Sequence, residues 1–195
     1  MTFSRRSMEA SQDIVLEATG FVLFSIAKLC KFAADTIIDK NSIWEEISTS
    51  GQHQDWTKSR FTHTIYNLKK SGYLRLDSAS QSVEFTNKAK LRIVDQIAKS
   101  RSKVSEYRFV SFDIPEPKRR LRDGFRRAIK KMGFVQIQKS LWVINKDVGD
   151  LVELAAYEYG VEKYMAYIAS AKSDIDGIIA KKLASYTKPE SVSKE

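Results

Sequence analysis

One cysteine in 195 residues, Cys30, excludes an internal disulfide and any metal cluster built on thiolates. It lies in an apolar helical run and reads as a small core side chain. The two histidines, His53 and His63, have no carboxylate or cysteine at zinc-ligand spacing. The 8 glycines form neither a dinucleotide fingerprint nor a phosphate loop, and about half of them read as helix stops or turns. No Ser-His-Asp arrangement follows from residue order. The most apolar stretch, residues 14–38, is broken by Glu17, Lys28, Lys31 and Asp35, so it reads as buried helix and not as a membrane span. Arg5 and Arg6 are followed by Asp13 and Glu17, which fits no secretion signal. The expectation is a cytoplasmic protein with no membrane partner.

What the chain does have is positive charge and enough apolar residues to fold. Hydrophobic residues make up 43% and charged residues 29%, so real cores can form and broad disorder is excluded. Lysine and arginine number 33 against 24 acids, a net charge of +9. That balance favours polyanionic partners, either nucleic acid or an anionic membrane surface.

The periodicity falls into two regimes. Residues 7–39 follow helical spacing as one long helix or two meeting near Gly20, with an apolar face wide enough to pack on both sides or against a second copy. A short helix capped by Asn41 or Ser42 follows, with Ile43, Trp44 and Ile47 inward. A stronger helix over residues 56–71 ends at Gly72 and turns Phe61, Ile65 and Leu68 inward. Residues 73–76 and 83–85 read as a β-hairpin, and Thr86 caps a further helix. Helix, helix, helix, hairpin is the order of a winged helix-turn-helix, placed in residues 1–104.

After the polar stretch 100–105 the pattern changes to that of strands. Residues 108–113 read as a strand ended by Ile114-Pro115, and Pro117 opens a helix with Leu121, Phe125, Ala128, Ile129 and Met132 on one side. Strands 134–138 and 140–145, a helix capped by Asn145 or Asp147 and ending at Gly160, and a strand over 162–169 complete the order βαββαβ. That is the ferredoxin-like layout, assigned to residues 105–170. Residues 171–195 read as a weakly amphipathic docking helix and a loose tail. The fold class is therefore α+β.

Two surfaces and one carboxylate are candidates for function. With Phe61, Ile65 and Leu68 inward, a step of about 100° per residue turns Ser59, Arg60, His63, Tyr66, Asn67 and Lys70 outward. Arginine grips guanine edges or phosphate, asparagine pairs with adenine, and hydroxyls and lysine hold phosphates. A solvated helix face would also accept such a mixture, but the hairpin that follows, with Arg75 at its base, favours DNA. The second surface follows Pro117: Lys118, Arg119, Arg120, Arg122, Arg126, Arg127, Lys130 and Lys131, with Asp123 the only acid in that helix. Solvation explains where these charges lie but not their single sign, which phosphate or an acidic partner surface would. The carboxylate is Asp113, at the end of the first strand of the βαββαβ segment, with Glu116 three residues on. It reads either as a turn residue or as a ligand for Mg²⁺ or Mn²⁺, for which one acid is a poor site unless a dimer supplies a second.

The run Tyr107-Arg-Phe-Val-Ser-Phe-Asp113-Ile-Pro-Glu-Pro-Lys-Arg-Arg120-Leu-Arg, followed by Met132-Gly-Phe-Val-Gln-Ile-Gln-Lys-Ser-Leu-Trp-Val143, resembles two related families. One is the PaaX-like transcriptional repressors; the other is the small ferredoxin-like endonuclease of the CRISPR adaptation complex. The winged helix ahead of the ferredoxin-like domain makes the arrangement similar to the PaaX-like one. The resemblance implies a homodimeric, sequence-specific regulator of double-stranded DNA, a repressor by analogy. That family carries a further C-terminal helical domain where only residues 171–195 remain here, so an acyl-CoA response is not carried over. The resemblance to the endonuclease implies the alternative, a metal-dependent nuclease with Asp113 as catalytic metal ligand; that enzyme usually has tyrosine before the aspartate, where this chain has Phe112.

Overall fold

Asp39, Thr57 and Thr86 each take an extended backbone and open a helix, because their short side-chain oxygens reach forward to free backbone N–H groups. The computed structural model describes residues 19–29, 37–50, 56–77 and 79–187. The expectations for Met1–Glu9 and for Cys30 lie outside those residues. Two compact units divide the chain, Met1–Ile93 and Val94–Glu195.

In the first unit residues 19–29 are helical (α1) and bury Val22, Leu23, Ile26 and Ala27. Strand β1 (Ile37–Asp39) leads directly into α2 (Lys40–Thr49). The sequence pattern ran the first helix through Asp39 and capped the second at Asn41 or Ser42. Instead Ile37 and Ile38 pair with Glu84 and Val83, and the Asp39 carboxylate accepts from the N–H groups of Asn41 (2.8 Å) and Ser42 (3.0 Å). Two adjacent β-branched residues suit a strand as well as a helix, and only the partner strand decides between them. Helix α3 (Lys58–Lys70) starts at the Thr57 cap, and Gly72 follows it at φ +72°, the left-handed backbone that glycine adopts without penalty. Strands β2 (Leu74–Asp77) and β3 (Ser82–Phe85) form a hairpin, and the antiparallel sheet has the order β1-β3-β2. Helix α4 (Asn87–Arg92) completes the unit. Its core joins Ile43, Ile47, Phe61, Ile65, Leu68, Leu74, Val83 and Phe85.

The second unit begins with α5 (Val94–Ser100), which packs on α6 (Arg119–Met132). The sequence reading placed it ahead of the domain break; the backbone turns at Ile93, so the helical run read as one element is two. Strand β4 (Lys103–Phe112) follows, then a 3₁₀ turn at Glu116–Lys118 that contains Pro117, and then α6, closed by Gly133 at φ +98°. Strands β5 (Val135–Gln138) and β6 (Leu141–Lys146), helix α7 (Gly149–Tyr159), a 3₁₀ turn at Glu162–Tyr164 and β7 (Met165–Ser170) complete the set. Val148 occupies the cap position of α7 and makes no side-chain cap bond, so neither Asn145 nor Asp147 caps it.

All pairings are antiparallel and the strand order is β5-β6-β4-β7, the arrangement of a βαββαβ split sheet. Because side chains alternate, Phe112 faces α6, meeting Phe125 edge-on at 5.5 Å, while Phe109 and Val143 face the other way. Helix α8 (Asp176–Thr187) covers that second face: Ile179 is fully buried against Phe109, Val135 and Val143, with Ile175 and Leu183 alongside. Leu121, read as inward, is 37% exposed, and Ile178 on α8 is 51% exposed.

Candidate nucleic-acid interface

Helix α3 has thirteen residues, four of them cationic and none acidic. Burying Phe61, Ile65 and Leu68 fixes its rotation, and the opposite stripe holds Ser59, His63, Tyr66, Asn67 and Lys70, all exposed. At about 1.5 Å per residue this stripe runs for about 16 Å along the helix. Tyr66 stands 60% exposed in its middle, a large aromatic ring that the fold leaves in solvent. Lys58 and Lys69 are also exposed and flank the stripe.

The structure treats the two arginines of that set differently. Arg60 is half-buried and its guanidinium stacks 5.0 Å over the ring of Trp56, at the edge of the stripe. Arg75 is exposed on the hairpin, where its Nη1 meets Oε1 of its cross-strand neighbour Glu84 at 3.0 Å. The hairpin is tied back to the helices at its base. Thr86 Oγ1 donates to the Tyr73 carbonyl (2.9 Å), and Lys88 Nζ donates to the Ser71 carbonyl (2.8 Å) while lying over the Tyr73 ring. Sequence reasoning did not find Lys88, because its partner is a backbone carbonyl seventeen residues earlier. At the tip, the Ser80 hydroxyl and the Ala79 N–H hold the Asp77 carboxylate below its ordinary range.

The basic face of α6 is partly neutralised from within. Asp123 lies 3.8 Å from Arg119 and 3.6 Å from Arg126. Arg122 is largely covered and donates to the Glu116 carboxylate at 2.9 Å, a contact that lowers the Glu116 pKa. Lys118 Nζ lies 5.2 Å over the Tyr164 ring. Arg120 and Arg127 are exposed and have no ion pair among the described residues. Of Lys118, Arg119, Arg120 and Arg122, Arg120 therefore presents the least compensated charge, while Arg122 braces the turn after β4.

Asp113 follows β4 directly; its N–H donates to the Tyr164 carbonyl (2.9 Å) and its side chain is exposed. Glu116, the acid nearest in sequence, is engaged by Arg122. Among the described residues no three metal-ligating side chains come together. A single carboxylate is a poor Mg²⁺ or Mn²⁺ site unless waters, a substrate phosphate or a second copy complete it.

The fold and these surfaces define a mixed α/β protein with a small antiparallel N-terminal sheet and a split-sheet C-terminal unit. Residues 102–180 match the family model described as the PaaX protein central Cas2-like domain. The C-terminal unit is thus similar to that domain, which is consistent with a PaaX-like family, whose members are transcriptional regulators. No curated protein and no solved structure matches the chain significantly. No helix among the described residues is long and apolar enough to cross a membrane.

Proposed function

We propose that the chain is a cytoplasmic regulator that binds double-stranded DNA sequence-specifically as a homodimer, and by family analogy a repressor. The Met1–Ile93 unit is read as a winged helix: α3 enters the major groove and the β2–β3 hairpin is the wing. The exposed stripe of α3 carries this reading. Ser59, His63, Tyr66, Asn67 and Lys70 offer donors, an acceptor, an aromatic ring and a cation on a helix without a single acid. The element order α1, β1, α2, α3, β2, β3, with β1 closing on β3, supports it. Arg120 and Arg127 on α6 are read as sequence-independent phosphate contacts. Dimer formation is read at β7, an edge strand on which Ile168 is 47% exposed.

The test is a mobility-shift titration on a duplex from the region upstream of the gene, against a scrambled duplex of equal length. The wild type should prefer the upstream duplex, and replacing His63, Tyr66 and Asn67 together by alanine should abolish that preference. Undiminished discrimination by the triple variant would remove α3 as the reading element. Light scattering should give twice the 22.3 kDa chain mass; a monomer with and without DNA would refute the dimer.

A further inference from the structure

Four lysines of the C-terminal unit surround one cavity of about 660 Å³. They are Lys99 at the end of α5, Lys103 at the start of β4, Lys131 at the end of α6 and Lys146 at the end of β6. Among the described residues no acidic side chain lines it. Its apolar lining comes from Tyr107, Met132 and Ile144 together with Ala180 and Leu183 of α8.

Helix ends account for part of this charge and not for the rest. Lys146 Nζ donates to the carbonyls of Ala98 (2.8 Å) and Lys99 (3.0 Å), closing the last turn of α5. Lys99 reaches toward Asp95 at 3.9 Å. Lys131, in the last turn of α6, sits where a cation meets the negative end of a helix dipole. Lys103 has no such role. It stands directly across the β4–β6 ladder from Lys146, a like-charge pairing that disfavours the sheet. Burial, then Lys103 and Lys99, lower the Lys146 pKa, so the cluster feels its own repulsion. An anion inside the cavity would relieve that repulsion, and the apolar walls would hold an apolar body attached to it. The volume falls within the range of small-molecule pockets, roughly 300–1,000 Å³.

The geometry points to a binding site here for a small organic anion: a carboxylate held by Lys103 and Lys131, on an aromatic or aliphatic body packed between Tyr107, Ile144 and Leu183. The site does not depend on DNA binding, and it is tested without DNA.

Titration calorimetry of the full chain with 2-naphthoate, with its neutral analogue 2-naphthamide and with inorganic phosphate tests both halves of the site. One naphthoate should bind per chain, with the amide and phosphate each weaker by on the order of tenfold or more. The Lys103→Gln/Lys131→Gln variant should lose on the order of tenfold in naphthoate affinity, as removal of two partly exposed ionic contacts would produce. It should leave amide binding unchanged. Ala180→Phe, which narrows the cavity from the exposed side of α8, should weaken naphthoate and amide alike; circular dichroism checks that both variants fold. Failure of the wild type to bind naphthoate, amide binding as tight as naphthoate, or indifference to either variant would overturn the assignment. A failed mobility shift would not bear on it.

Discussion

Gly124 sits in the middle of α6, where glycine costs about 1 kcal/mol relative to alanine. The reason for it is visible in α7. A Cβ at position 124 would stand 2.8 Å from Cδ1 and 3.1 Å from Cζ of Tyr159, with Cε1 nearer still. Carbon atoms prefer about 3.5–4.0 Å, so the ring must move for alanine to fit. Overpacking of this kind costs about 1–3 kcal/mol, against a propensity gain of about 1. Gly124→Ala should therefore destabilise the C-terminal unit by up to about 2 kcal/mol. In a Tyr159→Ala background the obstacle is gone, and the same substitution should stabilise by about 1 kcal/mol. The coupling between the two positions is then about 1–3 kcal/mol, well beyond what separate sites show. Two of the three tryptophans, Trp44 and Trp56, belong to the other unit, so bulk fluorescence would mix two transitions. Urea titration read by hydrogen exchange of the α6 and α7 amides isolates the right one. Stabilisation by Gly124→Ala in the wild-type background, or equal effects in both backgrounds, would refute the close-approach argument.

The logarithm of DNA affinity should fall linearly with the logarithm of salt concentration. Arg120→Gln with Arg127→Gln should reduce that slope by about 2 per protomer bound, if each arginine holds one phosphate. His63→Ala with Asn67→Ala should instead cost about 1–3 kcal/mol on the preferred duplex and leave the slope unchanged; slopes altered by the second pair and not the first would reverse the two assignments. Because Arg122 lowers the Glu116 pKa from its ordinary 4.5, the stability this pair contributes is fully present above 4.5 and lost as pH falls through the folded value. Glu116→Gln should flatten the melting temperature against pH in that window, and an unchanged acid limb would show that the contact contributes nothing. With Mn²⁺ and supercoiled plasmid, Asp113 acting only as a turn residue should leave the DNA uncut. Cutting by the wild type that Asp113→Asn abolishes, with DNA binding retained, would show that a second copy completes a metal site.

The sequence by itself determined every element that a strong local signal marks. Phe61, Ile65 and Leu68 set the rotation of α3 before any neighbour is known, and with it which residues face solvent. Thr86, Gly72, Gly133 and Gly160 fix where helices begin and stop, because caps and left-handed residues act within one turn of the chain. The βαββαβ order followed from the change of period after residue 105, and the order of the strands within the sheet agrees with it. What the tertiary structure alone decided depends on partners distant in sequence. Ile37 and Ile38 became a strand because β3 lies beside them. Arg60, Arg75 and Arg122 look alike in a list of basic residues, yet Trp56, Glu84 and Glu116 occupy them, while Arg120 and Arg127 have no ion pair among the described residues. The four lysines of the cavity lie on four separate elements, and Lys103 and Lys146, forty-three positions apart, meet only because β4 and β6 pair in one register. Local periodicity orients a side chain about its own helix or strand; chain folding chooses what it meets there, and charge follows that choice.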